Sequence, residues 1–289
     1  MLLFRYIFIG ISPIIVWGFF AHKKINENAC YAVPDPLFSF YKEHVDYIRN
    51  HSVDPDKRRH STVGEAEKHY IDLDHYSNNK DSLRIHFPRL WKDAVELYSE
   101  DTLKAYGIGP YNAMRVYYSL RKAFEENDKS KVLRFSAELG HYIGDLHVPL
   151  HTTENYNGQL TNQTGIHAFW ESRLPELFYD DYDMLFEPVD YVENVNELIW
   201  NTVFESHELL TQVLIEEKRL SIQGNLLKYT NEERGAVISH TYSREFSTQY
   251  HMRLNGMVES RMRTATIVVA SLWYTAWVES GQPSIENLK

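Results

Sequence analysis

The chain has 289 residues, of which 43% are hydrophobic and 24% are charged, and its formal net charge at pH 7 is -10. This composition is typical of a folded globular protein and excludes an extended disordered chain. The negative charge argues against a broad basic surface for duplex nucleic acid, because such binding needs many lysines and arginines against the phosphates. The single cysteine, Cys30, excludes an intramolecular disulfide and a zinc site built from paired cysteines.

The N-terminal segment has the pattern of an export signal. Arg5 precedes an apolar run over residues 6–16, which is too short to span a bilayer comfortably. We therefore predict a signal peptide over residues 1–16 and export to the periplasm or the medium. Ile14 and Val16 are not the small residues that signal peptidases prefer. The alternative is an uncleaved N-terminal membrane anchor.

Apolar periodicity from Pro34 onward predicts helices joined by short connections. The sequence shows no long linker, internal repeat or low-complexity tract, so residues 17–289 are expected to form one domain. Strand patterns are scarce, and the predicted fold class is all-α with one compact multi-helix domain. The apolar stretch at 267–277 is half the length of a membrane span and predicts a buried core helix. Helices are predicted over residues 36–50, 88–106, 111–126, 129–146, 191–220, 231–254 and 257–278.

The strongest indication of function in the sequence is a histidine followed four residues later by a carboxylate, a pattern that occurs twice. His141 and Asp145 are four residues apart, as are His167 and Glu171, so each pair projects from one face of a helix. His151 follows a proline that should end the first helix, and it can turn toward a second ion. Zinc accepts both imidazole and carboxylate ligands. The alternative, ordinary surface or core histidines, does not explain why the acidic partners recur at this spacing.

Other metal and nucleotide motifs are absent from the sequence. It contains no His-Glu-x-x-His zinc-protease helix, no phosphate-binding glycine loop and no Gly-x-Ser-x-Gly elbow. Glu-x-x-His occurs once, at Glu138 and His141, whereas a di-iron carboxylate bundle needs two.

The motifs together resemble the zinc-dependent S1/P1-type nucleases and their relatives, the bacterial zinc phospholipases C. Both groups show His-aromatic-x-Gly-Asp, then Pro-x-His, then His-x-x-x-Asp or Glu, as this chain does. Upstream, Trp17-Gly-Phe-Phe-Ala-His22 resembles the Trp-Gly-x-x-Gly-His that begins the mature nucleases, with Ala21 in place of glycine. His69-Tyr-Ile-Asp72 resembles their His-Phe-Ile-Asp. The matching segments span residues 17–171.

The resemblance implies an all-α domain with three zinc ions at the bottom of a cleft. It favours Asp54 over Asp56 as a ligand, because of the distance to the next histidine and the basic residue soon after. The amine of Trp17 can bind zinc only if cleavage makes Trp17 the first residue. The implied ligands are Asp54, His69, His141 and Asp145 for one zinc, His151, His167 and Glu171 for a second, and His22, Asp145 and Trp17 for the third.

The catalytic chemistry implied by this site depends on the metal ions. Zinc ions that share Asp145 would supply a hydroxide nucleophile near neutral pH and stabilise charge on the leaving oxygen. The catalytic role of Asp54 and Asp145 would therefore be to bind these zinc ions. Lys57 or Arg58 is positioned by sequence to hold a phosphate oxygen; the alternative is a solvated run of charges.

Substrate recognition is suggested by two further residues. The resemblance implies that Tyr70 stacks on a nucleobase and that Asp72 accepts hydrogen bonds from base N–H groups, which suits unpaired bases. The alternative is that Tyr70 packs in the core and Asp72 stabilises a turn.

The sequence leaves three alternative functions open. The first is a single-strand nuclease with 3'-nucleotidase activity, which leaves 5'-phosphate ends on DNA or RNA. The second is a phospholipase C that acts on lipid head groups, a choice that Glu171 in place of aspartate mildly favours. The third is a metal-stabilised binding protein without turnover. The expected partner is a nucleic acid, nucleotide or phospholipid substrate, and no stable protein partner is implied.

Overall fold

The computed structural model describes residues 18–234 and 237–288, apart from the side chains of residues 233–239. The predicted signal peptide and Trp17 lie outside the described residues. The described part is mostly helical with a short hairpin, which confirms the prediction of a single all-α domain. None of its helices is sufficiently long and apolar to traverse a bilayer.

The helices follow one another with short connections, and the hairpin lies between the thirteenth and fourteenth of those described. Short 3₁₀ segments add turns, among them Ala66–Lys68 and Pro149–Thr152. The hairpin strands are β1 (Tyr229–Arg234) and β2 (Val237–Tyr242). The helices are α1 (Phe19–Ala32), α2 (Leu37–Glu43), α3 (Val45–His51), α4 (Asp54–Arg58), α5 (Leu73–Tyr76), α6 (Lys80–His86), α7 (Trp91–Tyr98), α8 (Glu100–Ala105), α9 (Gly109–Glu125), α10 (Lys129–Leu146), α11 (Ile166–Ala168), α12 (Leu174–Phe178), α13 (Val195–Gln223), α14 (Arg244–Arg253) and α15 (Met257–Glu279).

Helix α10 is the central helix and has the bounds that the sequence predicts. It begins after Asp128, whose carboxylate accepts a hydrogen bond from the backbone N–H of Lys131 at 3.0 Å and caps the first turn. It ends at Leu146, because Pro149 follows closely and cannot continue a helix. The 3₁₀ turn Pro149–Thr152 follows and carries His151.

Helix α1 lies unusually close to α10. A Cβ atom on Gly140 would lie 2.0 Å from the side-chain oxygen of Asn26, and one on Gly144 would lie 3.0 Å from Nδ1 of His22. Both glycines are therefore needed for the close approach of the two helices, and this approach brings His22 beside the last turn of α10.

Helix α15 fills the core, as the apolar stretch at 267–277 predicts. Trp273 is fully buried, and its indole N–H donates to the backbone oxygen of Ser136 at 3.1 Å. Its ring stacks on Tyr41 with the ring centres 4.5 Å apart. Because α1, α9 and α10 all pack against this helix, the core forms one continuous layer behind the histidine and carboxylate side chains of the candidate metal site.

The predicted helix over residues 231–254 is wrong in its first half. Strands β1 and β2 pair antiparallel there, and α14 starts only after Ser243, whose hydroxyl caps it by accepting from Phe246 N at 3.1 Å. Thr241 and Tyr242 favour an extended backbone. Tyr242 stacks on Phe169 with ring centres 3.7 Å apart, a long-range contact that periodicity cannot detect.

Two other predicted helices are broken into shorter ones. The prediction over 36–50 becomes α2 and α3, which meet at His44. The prediction over 88–106 becomes α7 and α8, which meet at Ser99, where φ is 69° and the side chain caps α8. The predictions over 111–126, 129–146 and 257–278 agree with α9, α10 and α15 to within two residues. The prediction over 191–220 corresponds to α13, which begins and ends a few residues later.

We predict that Gly140→Ala destabilises the protein by about 1–3 kcal/mol, as overpacking does in a tight core. Alanine would gain up to about 1 kcal/mol in helix propensity. The new methyl group, however, must displace Asn26, which donates to the backbone oxygen of His22 at 3.0 Å. Thermal unfolding measures the difference. Ser130→Ala, at an exposed position of the same helix, is the matched control, and equal stability of the two variants would contradict the packing argument.

Candidate metal centre and adjoining cleft

Three clusters of histidine and carboxylate side chains meet beside the C-terminal turn of α10. Within each cluster the candidate ligand atoms lie within 4.8 Å of one another. Zinc bound tetrahedrally at about 2.1 Å holds its ligands about 3.4 Å apart, so these separations fit a metal ion. The clusters are His22, His141 and Asp145; Asp56, His69 and His141; and His151, His167 and Glu171.

The carboxylate of Asp145 lies at the centre of this arrangement and is fully buried. Its Oδ2 atom is 2.8 Å from His69 Nδ1 and 3.3 Å from His141 Nε2. Its Oδ1 atom is 3.3 Å from His22 Nε2 and 3.8 Å from His151 Nδ1. Each oxygen of this carboxylate therefore lies beside a different pair of histidines.

The third cluster is built on an irregular helical segment. His167 lies on α11, and Glu171 lies on the π-helical turn Phe169–Arg173 that continues it. His167 Nε2 is 3.0 Å from Glu171 Oε2 and 3.1 Å from His151 Nε2. A single π turn within a helix is a frequent feature of functional sites. Here it keeps the two residues on one face while the adjoining chain turns into α12.

Backbone carbonyls orient three of the imidazoles. An imidazole that donates its Nδ1–H to a carbonyl is fixed in the tautomer that presents Nε2 as a lone pair to a metal. Nδ1 of His141, His151 and His167 lies 2.8, 2.6 and 3.0 Å from the backbone oxygens of Ser52, His69 and Tyr156, respectively.

The structure places Asp56, rather than the predicted Asp54, beside the histidines of the second cluster. The Oδ1 atom of Asp56 lies 3.6 Å from His141 Nε2 and 3.7 Å from His69 Nδ1, and its side chain is 5% exposed. Asp54 points away, is 34% exposed and forms an ion pair with Lys57 at 2.7 Å. Residues two apart on a helix point about 200° apart, so only one of them can face the cluster.

The predicted phosphate-binding cations, Lys57 and Arg58, both form ion pairs with other side chains of the protein. Lys57 pairs with Asp54, and Arg58 pairs with the buried carboxylate of Glu65 at 3.2 Å. The next residue, Arg59, lies on the wall of the adjoining cleft instead. No hydrogen bond or ion pair of the Arg59 side chain occurs within the described part of the chain.

The electrostatics of the clusters fit bound cations. Both carboxylate oxygens of Asp56 are buried and accept no hydrogen bond from the described residues, and burial raises the pKa of this carboxyl to about 7. Burial lowers the pKa of His22 and of His69 to about 4, so both imidazoles are neutral at pH 7. Burial opposes the ionisation of Asp145, yet the neighbouring His141 holds its pKa well below the usual range. Burial also disfavours the charged form of His141, but the nearby carboxylates of Asp145 and Asp56 outweigh it and raise the pKa of His141 to about 9. Imidazoles packed against buried carboxylates form a ligand set suited to zinc.

A cleft of about 450 Å³ opens beside the third cluster, and His151 and His167 form part of its wall. The structure places the predicted substrate residues Tyr70 and Asp72 on the same wall. Burial, together with nearby carboxylates, raises the pKa of Asp72 to about 7. The wall also includes ionisable side chains for which no motif or periodicity gave a signal: Arg59, His60, Tyr106, Glu154 and Tyr156.

Comparison with known proteins gives structural neighbours only. No family model and no curated protein matches the sequence. The alpha toxin from Clostridium absonum superposes with a TM-score of 0.51 at 13% identity, over 93% of this chain and 65% of the toxin. The alpha toxin from an avian strain of Clostridium perfringens gives a TM-score of 0.48 at 12% identity, over 92% of this chain and 64% of the toxin. This chain thus has the fold of the first toxin and spans about 65% of its length.

We predict that the zinc-replete protein carries close to three zinc ions and that Asp56, not Asp54, is needed for full occupancy. Asp56→Ala should lose about one ion, because it removes a buried anionic ligand, whereas Asp54→Ala should retain the wild-type content. Asp145→Ala should lose the most, because its two oxygens lie beside histidines of two clusters.

Elemental analysis after dialysis against limiting zinc provides the measurement. The Asp54 and Asp56 variants form a matched pair, since both remove one carboxylate from the same short helix. At most one zinc in the wild-type protein would overturn the three-metal site. Equal zinc loss in the two variants would overturn the ligand assignment.

Proposed function

We propose that the protein is a zinc-dependent phosphodiesterase that cleaves single-stranded DNA or RNA and leaves 5'-phosphate ends, with 3'-nucleotidase activity. The likeness in fold to a clostridial alpha toxin supports the superfamily of zinc phospholipases C and P1-type nucleases. Within that superfamily, one observation favours a nuclease: Tyr70 and Asp72 line the same cleft as the metal-binding candidates His151 and His167.

The protein's own side chains supply the positioning for this chemistry. Zinc bound at the clusters would activate water and neutralise charge that develops on the phosphate. Asp145 holds two clusters together through its two oxygens. The third cluster lies beside the cleft, and an ion bound there could contact another oxygen of the same phosphodiester. This cluster consists of His151, His167 and Glu171.

Recognition of an unpaired nucleotide follows from the cleft wall. Tyr70 presents an aromatic ring, and stacking on such a ring is worth about 1–3 kcal/mol per base. Asp72, when ionised, accepts hydrogen bonds from base N–H groups, which a duplex hides in its base pairs. Arg59 supplies the cation for a phosphate oxygen that the sequence assigned to Lys57 or Arg58.

A phospholipase C is the second candidate, and one feature of the cleft favours it. Tyr70, Tyr106 and Tyr156 share the wall with the carboxyl groups of Asp72 and Glu154. Aromatic rings beside carboxylates also suit a quaternary ammonium group such as choline. Hydrolysis of phosphatidylcholine faster than that of single-stranded DNA would replace the nuclease proposal with this one. Export, from the predicted signal peptide, remains part of either proposal.

We predict that Tyr70→Ala lowers cleavage of a single-stranded oligonucleotide by about ten- to a hundredfold, the loss expected from one stacked base. Zinc content should be unchanged, because Tyr70 is not a candidate ligand. Tyr70→Phe should retain most of the activity, since it preserves the ring. Tyr31→Ala removes an exposed tyrosine on α1, outside the cleft, and is the matched control. Full activity of Tyr70→Ala would remove the main support for a nuclease.

A second pair of variants tests the proposed phosphate contact of Arg59. We predict that Arg59→Ala raises KM for the oligonucleotide about tenfold, because it removes the cation on the cleft wall. Lys57→Ala, two residues away on an exposed side chain, should leave KM unchanged. Steady-state kinetics at fixed ionic strength measure both. A larger effect at Lys57 than at Arg59 would favour the original sequence assignment.

A further inference from the structure

A second cavity, of about 430 Å³, lies behind the wall of the metal-site cleft. The same two chain segments line both spaces: Tyr70 and Tyr106 face the cleft, whereas Lys68 and Ile108 face the second cavity. A backbone hydrogen bond from Ile108 N to Glu67 O, 2.7 Å long, ties the segments together. The second cavity therefore adjoins the cleft and contains none of the candidate metal ligands.

The charge of the second cavity contrasts with that of the whole protein. Its wall includes Lys68, Arg89 and Arg115 and no aspartate or glutamate, whereas the chain has a net charge of -10. Lys68 is neutralised by Glu65 at 2.8 Å. Arg89 and Arg115 form no ion pair with any described residue. A pocket that keeps two guanidinium groups without counter-ions selects an anion.

Aromatic side chains form another part of the same wall. Trp91 meets Tyr111 edge to face, with ring centres 5.3 Å apart, and Tyr111 is anchored by its hydroxyl to the backbone oxygen of Pro88. Tyr118 is 52% exposed at the rim. Arranged beside arginines, such rings provide the surfaces on which nucleic-acid bases stack.

Two amide side chains complete the wall with complementary hydrogen-bonding groups. Asn112 accepts from Arg115 Nη2 at 2.8 Å through its oxygen, and its buried Nδ2 group has no acceptor among the described residues. Asn196 donates its Nδ2–H to the backbone oxygen of Arg89 at 3.2 Å, which leaves its oxygen as an acceptor. One amide thus retains a donor and the other an acceptor. A nucleobase edge carries the matching acceptor and donor groups.

We propose that this cavity is a second nucleotide-binding site, in which Trp91 and Tyr118 contact the base and Arg89 and Arg115 hold the phosphate. The inference rests on the proposed nuclease function in one respect: the bound nucleotide would be a unit of the substrate strand away from the bond that is cleaved. The cavity would then strengthen the binding of long single strands and leave the cleavage of short ones unchanged.

Calorimetric titration of the zinc-loaded full chain with deoxyadenosine 5'-monophosphate tests the site directly. We expect two nucleotides per chain for the wild type and one for Arg115→Glu, whose side chain is exposed and outside the core. Tyr118→Ala should weaken the same site at least fivefold. Lys92→Glu, an equal charge change at an exposed position of α7 outside the cavity wall, should leave both sites intact.

Tyr70→Ala separates this proposal from the proposed function, because it should remove only the nucleotide bound in the cleft. One outcome would overturn the nuclease and keep the cavity assignment. In it, Arg115→Glu removes a bound nucleotide, Tyr70→Ala removes none, and the wild-type protein does not cleave the oligonucleotide. Identical titrations for the wild type and Arg115→Glu would overturn the cavity assignment. Binding of lysophosphatidic acid but not of the nucleotide at the Arg115 site would also overturn it, in favour of a lipid.

Kinetics provide a second measurement. For a single strand of about ten nucleotides, Arg115→Glu should raise KM about tenfold at constant kcat, whereas KM for a dinucleotide should not change. An equal rise in KM for both substrates would indicate a general charge effect and overturn the second site.

Discussion

The buried carboxylate of Asp145 is the constraint on which the arrangement of the other elements depends. It lies among His22, His69, His141 and His151, which come from four separate parts of the chain. Removing a carboxylate from water costs several kcal/mol unless charge or hydrogen bonds compensate it. The fold must therefore hold four imidazoles in place around one group, and the close approach of α1 to α10 is one means by which it does so.

The hairpin, although distant in sequence, supports the third cluster. Tyr242 of β2 stacks on Phe169, the first residue of the π turn that carries Glu171. Arg173, the last residue of that turn, pairs with Glu232 of β1. Because both ends of the turn contact the hairpin, the position of the Glu171 carboxylate depends on strands whose described side chains include no candidate ligand. A helix in place of the hairpin would leave the turn without these contacts.

Sequence analysis predicted the parts of the site that local geometry determines. The spacing of His141 and Asp145 determines that they share a helix face, and the proline before His151 determines that the chain leaves the helix there. The choice between Asp54 and Asp56 depends instead on how a five-residue helix docks on α10, which is a tertiary contact. The ion pair of Arg58 with Glu138 and the stacking of the hairpin residue Tyr242 on Phe169 depend on long-range partners in the same way.

The position of Asp145 between the histidines of two clusters would also link the metal affinities of those clusters. If one carboxylate binds two ions, the binding of one ion changes the carboxylate that the other ion also contacts. The binding free energies of the two ions are then coupled, and the coupling is reciprocal. A change at His22 would then alter the affinity of the cluster that contains His69, although the His22 side chain belongs to another cluster. Two sites coupled in this way would form one thermodynamic unit, in which a substitution at either cluster changes the metal affinity of both.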